Sequence, residues 1–197
     1  MTPKQAEKLR DKILKIKRAL SADKRRWGGV YDDSRGLRYL PPEIFLRLQD
    51  YTGALKYFNW FSKNFPDDSG YPIFLFEWTI TLFKTGKLKD AERKALQTFL
   101  SNTYLFDKFL DKQNLDLNRQ EDSNWEYASL AENLHYKNTQ TELQDFADWL
   151  SKFIASDPFY KVANEFIEIE HKLKTEPVGP TRNLLIKRRY SLTDDYV

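Results

Sequence analysis

An all-α fold is the prediction from this sequence, and three observations lead to it. Apolar residues recur every three or four positions along most of the chain, which is typical of amphipathic helices. No segment sustains the alternation of apolar and polar residues expected of a half-buried strand. The seven Gly and eight Pro residues stand mostly between the periodic segments, where they mark turns and helix boundaries. A chain of 197 residues is long enough to bury a hydrophobic core.

The first predicted helix covers residues 2–26 and is strongly basic. Thr2 suits its N-cap and Pro3 its first turn. The segment 1–26 carries ten Lys or Arg residues against three acidic ones, a net charge of +7. Since residues 181–197 carry +2 and the whole chain +3, the middle carries −6. The apolar seam of this helix, spaced by three and four residues, consists of Ala6, Leu9, Ile13, Ile16 and Leu20.

A basic helix beside an acidic body has two interpretations. The helix docks on the body of its own or a neighbouring chain, or it contacts an anionic partner such as nucleic acid. Basic residues of the C-terminal tail could contact phosphates as well; they are Arg182, Lys187, Arg188 and Arg189. On the first helix, the candidate contacts for an anionic partner are Lys12, Lys15, Arg18, Arg25 and Arg26.

The next segments alternate between turns and predicted helices. A loop over 28–41 precedes a short helix over 42–48 and a second helix over 50–64, which begins at Asp50 or Thr52. Pro72 starts a helix that runs to residue 85, and Gly86 is its expected C-terminal cap. Helices over 88–101 and 104–110 complete this part of the chain.

The C-terminal half is predicted to contain three more helices. Residues 111–122 are polar and form a connector, and a helix over 123–137 follows it. The order Thr139-Gln140-Thr141-Glu142 has the form of a capping box and opens a helix over 141–155. Asp157 and Pro158 suit a cap and a first position, so the last helix covers 157–174. The tail over 181–197 is expected to hold one basic helical turn and to be mobile otherwise.

Two of these segments, 50–58 and 86–95, resemble each other. In each, a turn leads into a helix whose first small residue, Ala54 or Ala91, sits where two helices cross closely. Over residues 42–102 the chain resembles the tetratricopeptide-repeat (TPR) family, whose helix–turn–helix units of about 34 residues share such a turn, a small residue, aromatic residues and a closing proline. The first unit carries these features at Asp50-Tyr51, Ala54, Tyr57-Phe58 and Pro66, and the second at Gly86, Ala91 and Ala95.

The resemblance implies a right-handed array of antiparallel helix pairs with flanking N-terminal and C-terminal helices. The predicted organisation is a basic helix over 1–27, a loop with two TPR-like helix pairs over 28–112, a helical pair with a capping helix over 113–180, and a basic tail over 181–197. In the resembled family the first helix of each pair lines a concave groove. Projected onto this chain, the groove is lined by Ile73, Phe76, Ile80, Phe83 and Lys84.

The occupant of this predicted groove has two alternatives. The helix over 72–85 is apolar nearly all round, so it must be covered on every side. A helix of a partner protein could fill the groove. The chain's own N-terminal or C-terminal helix could fill it instead, and the apolar seam of the first helix needs a surface to pack on.

The sequence offers no recognisable catalytic group. It has no Cys residue, which excludes disulfides, thiolate metal sites and cysteine nucleophiles. His135 and His171 are not spaced as metal ligands. Glu77 lies among apolar residues, where a carboxyl group could act as an acid or base; an ion pair or hydrogen bond is the alternative, and the expected partners are Arg35, Arg38 and Tyr39 of the preceding loop. We therefore expect no catalytic residue, no metal and no cofactor.

These observations favour a non-enzymatic protein–protein interaction or scaffold module of the TPR-like class. Its expected partner is another protein or a second copy of the chain. The alternative is a nucleic-acid-associated factor that uses the basic N-terminal helix. No stretch reaches the ~18 apolar residues of a membrane span, and the N-terminus lacks the apolar core of a signal peptide. A cytoplasmic location without a small-molecule substrate is the corresponding expectation.

Overall fold

The computed structural model describes residues 1–31, 33–113, 117, 121, 123–194 and 196. Across these residues the regular structure is helical, with ten α-helices, two short 3₁₀ helices and no strand, so the all-α prediction is confirmed. The chain divides into two compact units, Met1–Gly70 and Tyr71–Val197. The boundary falls inside the predicted segment 28–112, between its two helix pairs. Most of the predicted connector over 111–122 lies outside the described residues.

Three α-helices build the described part of the first unit: α1 (Pro3–Arg26), α2 (Leu40–Arg47) and α3 (Tyr51–Asn64). A 3₁₀ helix, Leu37–Tyr39, precedes α2. α1 begins with a reciprocal cap, in which the Thr2 N–H donates to Gln5 Oε1 at 2.8 Å and the Gln5 N–H donates to Thr2 Oγ1 at 3.3 Å. α2 starts before the predicted residue 42, because prolines fit the first turn of a helix, where backbone N–H groups have no helical acceptor.

The core of the first unit is aromatic, and one face of α1 closes it. Tyr57, Phe58 and Phe61 of α3 are at most 2% exposed. α1 contributes Ile13, Ile16 and Leu20, which are all buried. The first two positions of its predicted seam, at residues 6 and 9, are only half-buried. The seam therefore packs against the core over its second half.

The second unit is organised around α4. Its described helices are α4 (Pro72–Lys84), α5 (Leu88–Ser101), α6 (Leu105–Leu110), α7 (Ala128–Ala131), α8 (Gln144–Ile154), α9 (Asp157–Thr175) and α10 (Pro180–Ser191). Because α4 is apolar all round, it is stable only when covered on every side. α5, α6 and α8 pack against it, and Phe74, Phe76 and Ile80 are fully buried.

The predicted helix over 123–137 was wrong, since its only α-helix is the four-residue α7. The Asn102 side chain explains why the segment departs from a helix. Its amide group donates to the carbonyl oxygens of Trp125 and Tyr127, at 2.7 and 3.1 Å. In a regular helix these two carbonyl oxygens would accept hydrogen bonds from backbone N–H groups. Here the Asn102 side chain is their donor. A buried polar side chain of another element thus sets the backbone conformation here.

The predicted capping box before α8 does not form either. A 3₁₀ helix, Thr141–Leu143, leads into α8. The Gln140 side chain accepts a hydrogen bond from the Lys137 N–H at 2.8 Å, so it stabilises the preceding turn. α9 begins at Asp157, with Ser156 at the N-cap position, one residue earlier than the predicted cap and first position.

The helix α10 covers most of the predicted tail and is longer than the one basic helical turn expected there. Leu185 and Ile186 of α10 pack against a buried cluster that contains Phe166, Ile169 and Leu173 of α9. Burial of these apolar side chains stabilises a helix that the strongly basic composition of the segment had obscured.

The turns between α2 and α3 and between α4 and α5 have the same conformation. Gln49 and Gly86, 37 residues apart, both adopt a left-handed backbone with φ of 55° and 74°. The next residues, Asp50 and Lys87, have φ/ψ of −89°/68° and −88°/64°. Each of these donates its N–H to the carbonyl five residues earlier, at 2.9 Å in both turns. This pattern is a Schellman-type helix end, used twice.

Small residues follow each turn at equivalent places. Ala54 and Ala91, again 37 residues apart, are fully buried near the start of α3 and α5. Gly53 is required by its surroundings, because a Cβ atom there would lie 2.7 Å from the Phe45 ring. Close approach of the two helices in each pair therefore depends on the absence of larger side chains, as the sequence comparison of the two segments predicted.

Exchanging the residue types at the two left-handed positions tests the equivalence of the turns. Gln49→Gly is expected to raise the free energy of unfolding of the first unit by about 1 kcal/mol, because glycine adopts positive φ without a steric cost. Gly86→Gln is expected to lower that of the second unit by about the same amount. Urea unfolding measures both changes. Gly179→Ala is the control, since Gly179 has an extended φ of 171°; effects of the same sign at 49 and 86 would contradict the equivalence.

Candidate functional site

The predicted groove face of α4 is occupied by other helices of the same unit. Phe76 and Ile80 are fully buried. The Phe76 ring centroid lies 5.2 Å from that of Phe109 in α6 and 5.8 Å from that of Phe146 in α8. These are edge-to-face contacts of the kind that stabilise aromatic cores. Two of the five candidate groove residues are therefore buried within their own unit.

The C-terminal end of the same face contacts α8. The Phe83 ring lies 5.0 Å from the ring of Trp149, and the Lys84 ammonium forms an ion pair with Asp145. Both side chains and Ile73 are half-buried. Of the two alternatives that the sequence left open, the structure shows the chain's own C-terminal helices covering this face.

Glu77 is buried next to the same aromatic cluster. It is 2% exposed, and the Tyr136 hydroxyl donates to its Oε1 atom at 2.8 Å. A hydrogen bond was the expected alternative to a catalytic role, and Tyr136 is a partner that the sequence analysis did not name.

A second buried carboxylate, Glu170, belongs to a charged cluster that the sequence analysis missed. Glu170 is fully buried in α9. Arg189 of α10 places its Nε 2.5 Å from Glu170 Oε1 and its Nη2 2.7 Å from Glu126 Oε1. The apolar spacing of Phe166, Ile169 and Leu173 puts Glu170 on the inward face of its helix, and this was the available signal.

The tail arginines, which the sequence predicts as phosphate contacts, bind carboxylate and carbonyl groups of the protein itself. Arg188 forms a bidentate ion pair with Glu165, at 2.6 and 2.9 Å, and Arg189 forms the pairs described above. Arg182 donates to the carbonyl oxygens of Leu173 and Glu176 at 2.6 and 3.0 Å, which compensates the end of α9. These three arginines therefore bind groups of the protein itself.

Nine of the ten basic residues of α1 fall into two sets, and Arg10 belongs to neither. Lys17 and Lys24 contact residues of the other helices of the first unit. The Lys17 ammonium lies 5.4 Å from the Phe45 ring centroid, a cation–π contact. Lys24 donates to Asn64 Oδ1 at 3.1 Å, and the Tyr31 hydroxyl donates to the same oxygen at 3.3 Å. These contacts join the end of α1 to the end of α3.

The other set forms what we call the outward basic face of α1. At 100° per residue its members lie within an arc of about 140°, opposite the buried residues Ile13, Ile16 and Leu20. All of them are exposed. They are Lys4, Lys8, Lys12, Lys15, Arg18, Arg25 and Arg26. The five predicted contacts are thus brought together on one face, and the helical register adds Lys4 and Lys8.

The loop after α1 is fixed by a polar network. The Asp33 carboxylate accepts the N–H groups of Leu37 and Arg38 at 2.8 and 2.7 Å. Arg38 Nε donates to Asp68 at 2.7 Å, and the Tyr39 hydroxyl donates to the same carboxylate at 2.7 Å. Burial alone would raise the pKa of Asp68, but these donors together with the Gly70 N–H lower it. The network holds the connection from α1 to α2 against the loop that follows α3.

No protein-family model, curated protein or solved structure matches this chain. None of the helices in the described ranges combines the length and apolarity needed to cross a membrane. Within the same ranges, no group of three His, Cys, Asp or Glu side chains is arranged to hold a metal ion.

Removing the Arg189 side chain tests the buried charged cluster. Arg189→Met takes away the cation beside the buried Glu170 carboxylate, and such a loss costs about 3–5 kcal/mol. The expected result is a large fall in the free energy of unfolding of the second unit, measured by urea unfolding. Lys187→Met, on the exposed side of the same helix, is the control. The double variant Arg189→Met/Glu170→Met is expected to recover part of the loss. Equal free energies of unfolding for Arg189→Met and Lys187→Met would exclude the proposed role of Arg189.

The Tyr39–Asp68 hydrogen bond predicts an alkaline loss of stability in the first unit. Burial, and next the hydrogen bond to Asp68, raise the pKa of Tyr39 from 10.0 to about 12. A raised folded-state pKa gives stability that is complete below pH 10 and is lost as the pH rises through 12. Denaturant midpoints across this interval measure the effect. Tyr39→Phe is expected to show a smaller fall than the unchanged chain, and parallel curves would contradict the assignment.

Proposed function

We propose that the chain is a non-enzymatic interaction module of the TPR-like class, which mediates contact with another protein or with a second copy of itself. The observation that carries the proposal is the repeated turn, with matching dihedral angles and hydrogen bonds at positions 37 residues apart. Repeated helix pairs build extended binding surfaces by stacking, and their function is most often recognition of another protein.

The packing within each helix pair supports the same class. Ala54 and Ala91 are fully buried at equivalent positions, as close helix crossing in a repeated pair requires. The aromatic residues that follow Ala54 form the core of its unit. A right-handed array of such pairs is the arrangement we propose.

The surroundings of the buried carboxylates support a role without catalysis. Glu77 accepts a hydrogen bond from Tyr136, and Glu170 lies against Arg189. Each carboxylate thus has a partner that compensates its burial, which is the arrangement of a structural polar group. A catalytic acid or base would need to reach a substrate as well.

The surface that we propose for protein contact includes the outer side of α10. Leu185 and Ile186 bury the inner side of this helix, whereas Leu184 and Tyr190 are 67% and 74% exposed. Tyrosine is enriched in protein–protein interfaces, and exposed apolar side chains contribute to their cores. The face of α4 is not part of this surface because α6 and α8 cover it.

Association of the purified chain tests the proposal directly. Sedimentation velocity over a range of concentrations measures self-association, and mass spectrometry identifies proteins retained from a nuclease-treated native lysate. Any retained protein is then purified and its binding measured alone. We expect Leu184→Ser/Tyr190→Ser to weaken the contact by about tenfold or more, since an interface anchor contributes about 2 kcal/mol.

The matched control is Leu14→Ser/Leu88→Ser, which removes two leucines that are 50% and 48% exposed elsewhere. Equal weakening by control and test variants would place the contact outside α10. A chain that stays monomeric at every concentration and retains no defined protein would refute the interaction module itself.

A further inference from the structure

The outward basic face of α1 has the geometry of a phosphate-binding surface. We infer that it binds the phosphodiester backbone of nucleic acid without reading the base sequence. The inference is independent of the protein contact proposed for α10, because it concerns another helix and other chemistry.

The charges are numerous and closely spaced. Lys4 and Arg26 stand at the ends of the face, about 33 Å apart at 1.5 Å per residue. Seven cations lie between and including these two, with Glu7 and Asp11 as the acidic residues of the same arc. The resulting net charge of +5 along one side of a helix matches a polyanion whose charges also follow a line.

The structure itself separates these cations from those with structural roles. Lys17 and Lys24 of α1 contact aromatic rings and Asn64, and the arginines of α10 bind carboxylates and carbonyl groups. Among the residues that the structure describes, none of the seven outward cations forms an ion pair with an acidic side chain. Their charge is therefore available to a partner, and the fold does not need it.

An exposed aromatic ring ends the face. Trp27 follows Arg26 directly and is 50% exposed, and the Arg26 guanidinium lies 5.6 Å from its ring centroid. An aromatic ring beside a line of cations is the combination that binds single-stranded nucleic acid, since a base can stack on the ring while the backbone follows the charges. This end of α1 was singled out by the sequence, and the structure leaves it uncovered.

The chemistry of the face favours nucleic acid over an acidic protein or a membrane. Lysine is depleted at the centres of protein–protein interfaces, where apolar anchors contribute most of the affinity. A membrane-surface helix inserts its apolar side into the lipid, but the core of the first unit already buries Ile13, Ile16 and Leu20. A polyanion requires neither apolar anchors nor a free apolar side.

The composition of this face favours contacts with the backbone over readout of base edges. Reading base edges takes paired donors and acceptors such as Asn or Gln, or a bidentate arginine deep in the major groove. Between Lys4 and Arg26 the outward face carries lysines, arginines, two acids and alanine, and its helix is held against a protein core on the opposite side. Contacts with backbone phosphates position a protein without specifying sequence.

The test uses the full chain and fluorescence anisotropy with a labelled single strand and a labelled duplex. Each has about 25 nucleotides or base pairs, enough to span the length of α1. Titrations run between about 50 and 200 mM salt. We expect the logarithm of the association constant to fall with the logarithm of salt with a slope of about −4 to −6, for five to seven phosphate contacts.

The variant Lys8→Gln/Lys12→Gln/Lys15→Gln/Arg18→Gln removes four outward cations. Its expected affinity at low salt is lower by about tenfold or more, and its slope is shallower by about three to four. The matched control removes four exposed lysines of the second unit and is expected to bind normally; it is Lys89→Gln/Lys137→Gln/Lys152→Gln/Lys172→Gln. Trp27→Ala is expected to weaken the single strand more than the duplex. Circular dichroism verifies that each variant is folded, and Arg25→Gln/Arg26→Gln replaces the fourfold variant if that one unfolds.

Three results would overturn the inference. The first is no binding of either nucleic acid at low salt, and the second is equal loss in the test and control variants. The third is tighter binding to poly-glutamate or to phosphatidylserine vesicles than to nucleic acid at the same salt, because it would assign the face to an acidic protein or to a membrane.

Discussion

Burial of a largely apolar helix is the constraint on which the second unit depends. α4 carries apolar residues on most of its sides, and α5, α6 and α8 pack against it. The aromatic contacts of Phe76 and Phe83 and the ion pair of Lys84 follow from this requirement. The same requirement removes the α4 face from the surfaces that can bind a partner. The two surfaces proposed for binding lie on α1 and α10, helices whose outer sides the core does not need.

The two basic segments show how equal composition leads to different roles. In α10, each of three arginines meets an acceptor supplied by α9 or the segment before α7. In α1, only the cations on the inward arc meet such groups. Net charge alone could not separate these cases, because the separation depends on which neighbours surround each helix. Helical register, counted from the buried isoleucines of α1, identifies the outward cations without further information.

Capping residues and apolar periodicity predicted several helices correctly. Contacts between residues distant in sequence determine the segments that were predicted wrongly. The helices that begin at Pro3, Pro72 and Leu88 were predicted at their observed positions, because capping residues and apolar period determine such boundaries. The segment 123–137 was mispredicted because the amide of Asn102, more than twenty residues away, binds its carbonyl groups. The partner of Glu77 was missed for the same reason, since Tyr136 lies 59 residues further along the chain. Of the candidate site, the five cations of α1 could be predicted from the sequence, while their common exposure follows from the packing.

The position of Arg189 has a consequence for the order in which the two units fold during translation. The hydrogen-bond network of the first unit lies within residues 1–70, so this unit can fold while the remainder is still being translated. The second unit places the Arg189 cation beside Glu126 and Glu170, which the ribosome makes much earlier. Those carboxylates lack that cation until residue 189 has left the exit tunnel. Closure of the second unit therefore waits for α10, and a nascent chain stalled before α10 would expose its apolar α9 face to chaperones.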